Sequence, residues 1–285
     1  IATALAVSSI GARPVFVDCR ESDLNIDPTK IEKEITRRTK AIIPVHMFGQ
    51  SADMSSIRSI AKKRGLFLIE DACQAHGATF KGTRVGSFGR AAAFSFYPSK
   101  NLGAYGDGGA IITNDADLKD KLRLYREYWQ EKKNVFTSQG INSRLDGLQA
   151  AILRVKLPHL DEWNQKRLKV AEWYRQALAG SGVTTPATRK DRVPVFHVFV
   201  IRTSHRDALK QFLEEKGVSC GIHYPVPIHL QQAYRDLGYK KGDLIVAEKA
   251  ATQMLSLPMF PELTKKEVNY IATQIKAFFK ALNYV

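Results

Sequence analysis

The sequence predicts an α/β protein with a mostly parallel central sheet and a smaller C-terminal α+β domain. Three patterns predict it: short apolar segments alternate with amphipathic ones in the first half, helical spacing dominates from Leu145, and a strand–helix–strand pattern follows residue 195. Strands separated by helices require crossover connections, which set parallel strands side by side. A chain of 285 residues is long enough for two domains.

The first half supplies the strands of the sheet. Strands are predicted at residues 15–18, 41–47, 66–69, 91–96 and 110–113. Asp27 and Pro28 provide a capping carboxylate and a first-turn proline for one helix, and Asp53 and Gly65 begin and end the next. Residues 66–69 are continuously apolar, which is typical of a parallel strand buried on both faces.

The second half is mainly helical and ends in a small domain. Helices are predicted at residues 145–157, 160–178 and 206–216, and strands at 195–201 and 218–223. The last helix carries an apolar stripe of Val268, Ile271, Ile275, Phe278 and Leu282. We therefore predict a large domain at residues 1–157, a connecting helix and linker at 158–194, and a small domain at 195–285.

Composition narrows the classes of function. Hydrophobic residues make up 44% and charged residues 25%, and no apolar run reaches the roughly 18 residues of a membrane span, so no membrane partner is predicted. Three separate cysteines without a CxxC pair favour a reducing cytoplasm. The net charge of +15 would suit nucleic acid or a phosphorylated small molecule, or it would simply be solvated helix surface. Because no nucleic-acid motif accompanies the charge, nucleic acid is the weaker alternative.

Two strand ends carry the residues with chemical potential. Asp71 follows the strand at 66–69 in EDACQAHGA, and Lys100 follows the strand at 91–96 in SFYPSKNLGAYGDGG. Ligands of open α/β sheets bind outside the carboxyl ends of strands. Pyridoxal phosphate requires a lysine for an imine, an acid for its pyridine nitrogen and donors for its phosphate. A lysine beside a glycine-rich loop is more often a surface lysine, so this pattern alone leaves both interpretations open.

Six motifs in order strengthen the first interpretation. They are PVFVD (14–18), EDACQAHGA (70–78), SFYPSKNLGAYGDGG (95–109), GINSRLDGLQAA (140–151), HYPVPIH (223–229) and LSLPM (255–259). Together they resemble the DegT/DnrJ/EryC1/StrS family of pyridoxal-phosphate-dependent sugar aminotransferases, over essentially the whole chain. The resemblance implies an aspartate-aminotransferase-like fold, the fold type I of pyridoxal-phosphate enzymes.

The resemblance also assigns roles around the cofactor. Lys100 matches the Schiff-base lysine and Asp71 the partner of the pyridine nitrogen, which makes these two the predicted catalytic residues. Gln74 matches a residue near the ring hydroxyl, and Ser95 matches one that contacts the phosphate. Lysine rather than histidine at position 100 favours transamination over the dehydration that some relatives perform.

Further residues match the substrate side and a second subunit. Asn142 matches an asparagine that reaches the phosphate of the neighbouring subunit's cofactor, which implies a homodimer with shared active sites. His223, Tyr224 and His229 match a substrate-side loop. Because His223 and His229 flank two prolines and cannot share a helical face, no metal site is predicted.

The resemblance implies a function in amino-sugar biosynthesis, of the kind that serves polysaccharides or lipopolysaccharides. The expected reaction is transamination of a keto group on a nucleotide-linked sugar, with dTDP-3-keto-6-deoxyhexose as the first expectation and L-glutamate as donor. Alternatives are a 4-keto sugar, a keto-inositol, or a non-catalytic protein of this fold. Family members also carry an upstream segment with a phosphate-binding turn and a ring-stacking aromatic residue. Ile1 falls just after the position of that aromatic residue, so we expect the N-terminal part of the fold to be missing. A further alternative is therefore an inactive fragment that binds the cofactor weakly or not at all.

Overall fold

The computed structural model describes residues 1–282, with nine α-helices and eleven strands in that range. The helices are α1 (Ala2–Ser8), α2 (Ile31–Glu34), α3 (Met54–Arg64), α4 (Ala116–Arg126), α5 (Gly147–Lys156), α6 (Leu160–Ala177), α7 (Arg206–Glu215), α8 (Ile245–Gln253) and α9 (Lys265–Ala281). The strands are β1 (Ala41–Ile42), β2 (Phe67–Asp71), β3 (Thr79–Phe80), β4 (Thr83–Arg84), β5 (Ala91–Ser95), β6 (Gly109–Ile112), β7 (Gln130–Lys132), β8 (Val135–Phe136), β9 (Arg192–Val193), β10 (Phe199–Arg202) and β11 (Met254–Leu257). None of the helices in residues 1–282 combines the length and apolar character that crossing a membrane requires.

The central sheet has the strand order β1-β2-β5-β6. β1 and β5 both run parallel to β2 between them, and β6 returns antiparallel to β5. The β1–β2 crossover runs through α3, which begins where the Asp53 carboxylate accepts the Ser56 N–H and ends at Gly65 with φ 64°. The predicted mostly parallel α/β sheet is confirmed, and α3 is capped as its sequence predicts.

Residues 15–18 form no strand, so this prediction is wrong. The Phe16 N–H donates to the Tyr239 hydroxyl at 2.9 Å. Asp18 accepts two backbone N–H groups from the first turn of α8, at 3.0 and 3.1 Å. Contacts with Tyr239 and with the start of α8 therefore hold this segment in place of a strand neighbour.

The predicted strand at residues 218–223 is also wrong. The segment keeps a single antiparallel bridge, between Gly221 and Ser256 of β11. The other side of β11 pairs fully with β10. A one-residue bridge fixes the approach of the chain to β11 without continuing the ladder, so the residues after Gly221 are free to turn toward the central sheet.

The burial of β2 differs from the continuous burial that its apolar sequence predicts. Leu68 is 7% exposed, whereas Phe67 and Ile69 are 51% and 36% exposed. Successive side chains of a strand point to opposite faces. Leu68 therefore packs with Ile57 of α3 in one buried cluster, while the opposite face of the strand is largely open in residues 1–282.

A second core lies in the C-terminal half. α6 and α9 pack together with β10 and β11 around Tyr174, which stacks on Phe199 with ring centroids 4.8 Å apart. α6 thus contributes its later turns to the C-terminal core. The domain boundaries at residues 1–157, 158–194 and 195–285 stay a prediction.

Candidate active site

Asp71 and Lys100 lie at the carboxyl ends of two adjacent parallel strands. Asp71 is the last residue of β2 and pairs in register with Ala93 of β5. Lys100 lies in the loop that follows β5, with its N–H donating to Tyr97 O at 2.9 Å. The carboxyl ends of neighbouring parallel strands share one edge of a sheet, which is where α/β proteins bind ligands.

The Lys100 amine is half-buried. Burial lowers the pKa of Lys100, although the negative charge of Asp71 opposes this shift. The pKa values of two histidines, His197 and His223, are lowered as well. Burial is the main cause and the Lys100 charge adds to it, and the pKa of His197 falls to about 3. The amine therefore lies among neutral imidazoles at neutral pH.

The Asp71 carboxylate is held by two donors from different segments. The hydroxyl of Thr3 donates to Oδ2 at 2.6 Å, and the N–H of Cys73 donates to Oδ1 at 3.1 Å. Thr3 is not predictable from the sequence as a site residue, because a threonine in a short helix carries no signal for a partner 68 residues away. Burial, followed by the Asp71 charge, raises the pKa of the Cys73 thiol to about 12, so this thiol stays protonated.

Gln74 and Tyr224 meet across the site. Gln74 Oε1 accepts the Phe48 N–H at 2.7 Å, and Gln74 Nε2 donates to the Tyr224 hydroxyl at 3.3 Å. Phe48 has φ 58°, the left-handed region that side chains rarely adopt. The structure thus brings together one residue predicted for the cofactor ring and one predicted for the substrate side.

Ser95 lies at the same edge of the sheet as Asp71. It is the last residue of β5, pairs with Gly109 of β6, and its hydroxyl accepts the Tyr97 N–H at 3.2 Å. His76 lies behind this edge, only 3% exposed, and burial lowers its pKa to about 4. Its ring is 5.3 Å from that of Phe94, which fits a packed residue of the site wall.

The remaining predicted residues occupy separate places. His223 is half-buried, with Nδ1 at 2.8 Å from the Ser256 hydroxyl. His229 is buried, and its Nε2 lies 2.9 Å from Glu248 Oε1, so its ring makes an internal hydrogen bond. Asn142 is exposed, and its backbone forms a bridge to Glu127.

α5 and α6 fix the loop that carries Lys100. Tyr105 N–H donates to Gln149 Oε1 at 2.8 Å, and the Lys156 amine donates to the Gly103 carbonyl. Asn101 Nδ2 lies 2.9 Å from both Asn164 Oδ1 and Val195 O. A loop with this many partners holds its lysine in a narrow range of positions.

A fully buried pair lies beneath the site. Glu70 and His46 are both 0% exposed, with Glu70 Oε2 3.0 Å from His46 Nε2. Because His46 Nδ1 accepts the Ala52 N–H, the ring proton is on Nε2 and points to the carboxylate. Burial would raise the pKa of Glu70, but the hydrogen bonds from His46 and from backbone N–H groups hold it below its usual range.

Within residues 1–282, no group of three or more His, Cys, Asp or Glu side chains is arranged to hold a metal ion. The polar atoms of the site are instead an amine, a carboxylate, an amide and hydroxyl groups. This set suits an organic cofactor that carries a carbonyl group, a basic ring nitrogen and an anionic group.

Known proteins share both the sequence and the fold. Residues 1–276 match the DegT/DnrJ/EryC1/StrS aminotransferase family. The chain is 50% identical to a pleiotropic regulatory protein of Geobacillus stearothermophilus, across 98% of this chain and 76% of that protein. It is 47% identical to the dTDP-3-amino-3,4,6-trideoxy-alpha-D-glucose transaminase of Streptomyces venezuelae, across 94% of this chain and 71% of that enzyme.

A solved structure extends the likeness to three dimensions. The crystal structure of S. venezuelae DesV in complex with a ketimine intermediate superposes with a TM-score of 0.95 at 45% identity, across 98% of this chain and 75% of that one. The predicted fold class and the motif-based resemblance are both confirmed.

Proposed function

Since this chain belongs to the DegT/DnrJ/EryC1/StrS aminotransferase family, we propose that it moves an amino group from an amino acid to the keto group of a nucleotide-linked sugar. The observation that carries the proposal is the placement of Lys100 and Asp71 at the carboxyl ends of two neighbouring parallel strands, with the lysine side chain half-buried. The similarity to dTDP-3-amino-sugar transaminases supports a dTDP-linked 3-keto deoxyhexose as acceptor, with dTDP-3-keto-6-deoxyhexose as the first candidate and L-glutamate as donor. Three free cysteines within the described residues are in keeping with a cytoplasmic location.

Pyridoxal phosphate is the proposed cofactor, and the residues present fit it. A half-buried amine would attach it, a carboxylate held by two donors would meet its ring nitrogen, and Gln74 and Ser95 would contact its hydroxyl and phosphate. When bound, the cofactor supplies a ring that withdraws electrons from the carbon that loses a proton.

Lys100 is the proposed proton carrier. Because burial lowers its pKa, a larger fraction of its amine is unprotonated at neutral pH than for an exposed lysine. Once an amino acid takes its place on the cofactor, the freed amine would move the proton of the amino acid α-carbon to the cofactor carbon that had held the lysine. In the second half of the cycle it would move a proton from that carbon to the sugar carbon that receives the amino group. Asp71 would keep the ring nitrogen protonated.

The substrate side is proposed to involve the segment that begins at His223. Tyr224 is 45% exposed, and its hydroxyl contacts Gln74, so it lies between cofactor-side residues and solvent. His223 is kept neutral by burial and can donate or accept a hydrogen bond to a sugar hydroxyl. His229 would act by holding this segment through Glu248, since its own ring is buried.

A homodimer with shared sites completes the proposal. Asn142 is exposed and reaches no group of this chain's own site in the described contacts. Large apolar side chains are exposed nearby in sequence and on the loop after β5, namely Tyr97, Tyr105, Phe136, Ile141, Leu148, Val155 and Leu157. Exposed apolar side chains mark a protein interface where they form one contiguous patch, and these side chains are the proposed members of such a patch.

The experiment compares wild type, Lys100→Ala and the surface control Lys119→Ala after addition of pyridoxal phosphate and removal of the unbound cofactor. Wild type and control should gain an absorption band between about 330 and 420 nm, and Lys100→Ala should lack the lysine-bound form. With dTDP-3-keto-6-deoxyhexose and L-glutamate, only the first two should produce 2-oxoglutarate. A wild type without a band contradicts the cofactor assignment. A band without product, tested also with a 4-keto sugar and a keto-inositol, would instead support a non-catalytic protein of this fold.

A further inference from the structure

Thr3 contacts the carboxylate on which the proposed cofactor chemistry depends. Its hydroxyl donates to Asp71 Oδ2 at 2.6 Å, a short bond of the charge-assisted kind. We propose that Thr3 is a positioning residue that fixes the orientation of the Asp71 carboxylate toward the cofactor's ring nitrogen. This inference rests on the proposed function.

The geometry around the carboxylate supports this role. Oδ1 accepts the Cys73 N–H at 3.1 Å while Oδ2 accepts the Thr3 hydroxyl, so donors on two separate segments hold both oxygens. Without Thr3, the carboxylate would be tethered at one oxygen and could rotate about its terminal torsion, which is intrinsically broad. A carboxylate oxygen accepts two hydrogen bonds, so Oδ2 retains capacity for a ring N–H.

Thr3 can position Asp71 because α1 is itself anchored. The Ser8 and Tyr234 hydroxyls lie 3.2 Å apart, within hydrogen-bond distance. Beyond the helix, Arg13 donates to Leu237 O at 2.8 Å. α1 therefore connects the end of β2 with the Gln232–Leu237 segment, and the position of Thr3 depends on both.

The competing interpretation is that Thr3 only attaches α1 to the body of the protein. In that case its removal would lower stability, and any effect on cofactor binding would not depend on Asp71. A positioning role instead requires that the effect of Thr3 on cofactor binding pass through the Asp71 carboxylate. A double-mutant cycle separates the two, since coupled residues give non-additive effects.

The experiment measures the dissociation constant of pyridoxal phosphate and the pH dependence of its absorption in Thr3→Val, Thr3→Ser and the control Ser9→Ala, which changes the residue that follows α1. The Ser9 hydroxyl donates to Ala6 O of the same segment. We expect Thr3→Val to weaken binding about tenfold and to shift the pH midpoint of the absorption, Thr3→Ser to restore both, and Ser9→Ala to match wild type. In an Asp71→Ala background, Thr3→Val should cause no further loss.

The outcomes that overturn the proposal are distinct from failure of the function. If wild type binds no cofactor and shows no Lys100-dependent band, the proposed function fails and this role fails with it. If wild type binds but Thr3→Val binds equally well with the same pH midpoint, only the role of Thr3 is overturned. Equal losses on Thr3→Val in the wild-type background and in the Asp71→Ala background also overturn it, because the effect then bypasses the carboxylate.

Discussion

The side-chain amide of Asn164 connects the two segments that carry the proposed catalytic residues. Its Oδ1 accepts the amide of Asn101, the neighbour of Lys100, at 2.9 Å, and its Nδ2 donates to His76 O at 2.8 Å. Asn101 and Asn164 are 6% and 5% exposed, so water cannot replace either bond easily. One residue of α6 therefore sets the spacing of the loops after β2 and β5.

We predict that Asn164→Ala lowers the free energy of unfolding by about 2 kcal/mol, because it removes the bond to one N–H of the Asn101 amide and the bond to the His76 carbonyl. It should also weaken pyridoxal phosphate binding, since the loops that carry Lys100 and follow Asp71 lose the hydrogen bonds that connect them. Denaturant unfolding and cofactor titration measure the two effects. Gln165→Ala, one residue along the same helix but exposed, is the matched control. Equal stability and equal cofactor binding of the two variants would contradict the role of Asn164 in connecting the loops.

Glu70→Gln should destabilise the protein by about 3 kcal/mol. Glu70 accepts four hydrogen bonds, from His46 Nε2 and the N–H groups of Gly86, Phe88 and Gly89. A glutamine has one oxygen, so its NH₂ group must face two of these donors in either orientation. His46 cannot change tautomer to help, because its Nδ1 already accepts the Ala52 N–H. Thermal or denaturant unfolding measures the loss.

Glu32 provides the control for the loss of stability expected in Glu70→Gln, because it forms exposed ion pairs with Lys63 and Arg64. Glu32→Gln should leave the unfolding free energy nearly unchanged, because solvent screens such pairs. A similar effect of the two substitutions would mean that the buried carboxylate contributes no more than a surface charge, which contradicts its assigned role.

The same carboxylate predicts a pH dependence of stability. Glu70 has a folded-state pKa below the ordinary value of 4.5, so at acidic pH the unfolded chain binds more protons than the folded one. Its stabilising contribution is complete above about pH 4.5 and is lost as the pH falls through the lower folded pKa. Unfolding free energies across this range should fall less steeply in Glu70→Gln than in wild type. Parallel curves would assign the acid sensitivity to other groups.

The main features of the site follow from the sequence because they are local. Asp71 and Lys100 each follow an apolar strand, and the rule that ligands meet the carboxyl ends of parallel strands needs no further information. The cap at Asp53 and the stop at Gly65 are likewise read from neighbouring residues. The contacts of Thr3 and Asn164 cannot be read from neighbouring residues, because their partners lie 63 to 88 residues away and no periodic pattern indicates them.

The two wrong strands have the same physical origin. Residues 15–18 and 218–223 have compositions that suit a strand, but a strand also requires a neighbour with free backbone groups. Asp18 instead accepts backbone N–H groups at the start of α8, and Gly221 forms a single bridge to β11. Tertiary contacts of this kind override local preference, so composition alone does not predict pairing.

Gly103→Ala should disrupt the loop that carries Lys100. A Cβ at this position would lie 2.3 Å from Pro98 O and 2.7 Å from Pro98 C, both backbone atoms that cannot move aside without shifting the loop. We expect a loss of about 2 kcal/mol in unfolding free energy and a weaker lysine-dependent absorption band. Gly147→Ala is the control, because it opens α5 and its Cβ would meet nothing within 4 Å. That variant should be unchanged or slightly stabilised.

The proposed role of Asn142 can be tested by mixing inactive subunits. If Asn142 completes the site of a second copy, Lys100→Ala and Asn142→Ala homodimers should each be impaired. A mixed dimer, however, pairs the intact Lys100 of one subunit with the intact Asn142 of the other. It therefore contains one complete site and one doubly defective site, because each site of a two-fold dimer draws on both copies.

Random exchange of equal amounts should restore about a quarter of the wild-type concentration of complete sites, because half of the dimers are mixed and each has one such site. Transamination assays before and after subunit exchange measure the recovery, and a mixture of Lys100→Ala with Asp71→Ala is the control. Those two residues belong to one chain's strand ends, so their mixed dimer contains no complete site and should recover nothing. Recovery in neither mixture would place Asn142 outside the partner's site, and its exposed position beside Glu127 would then need another explanation.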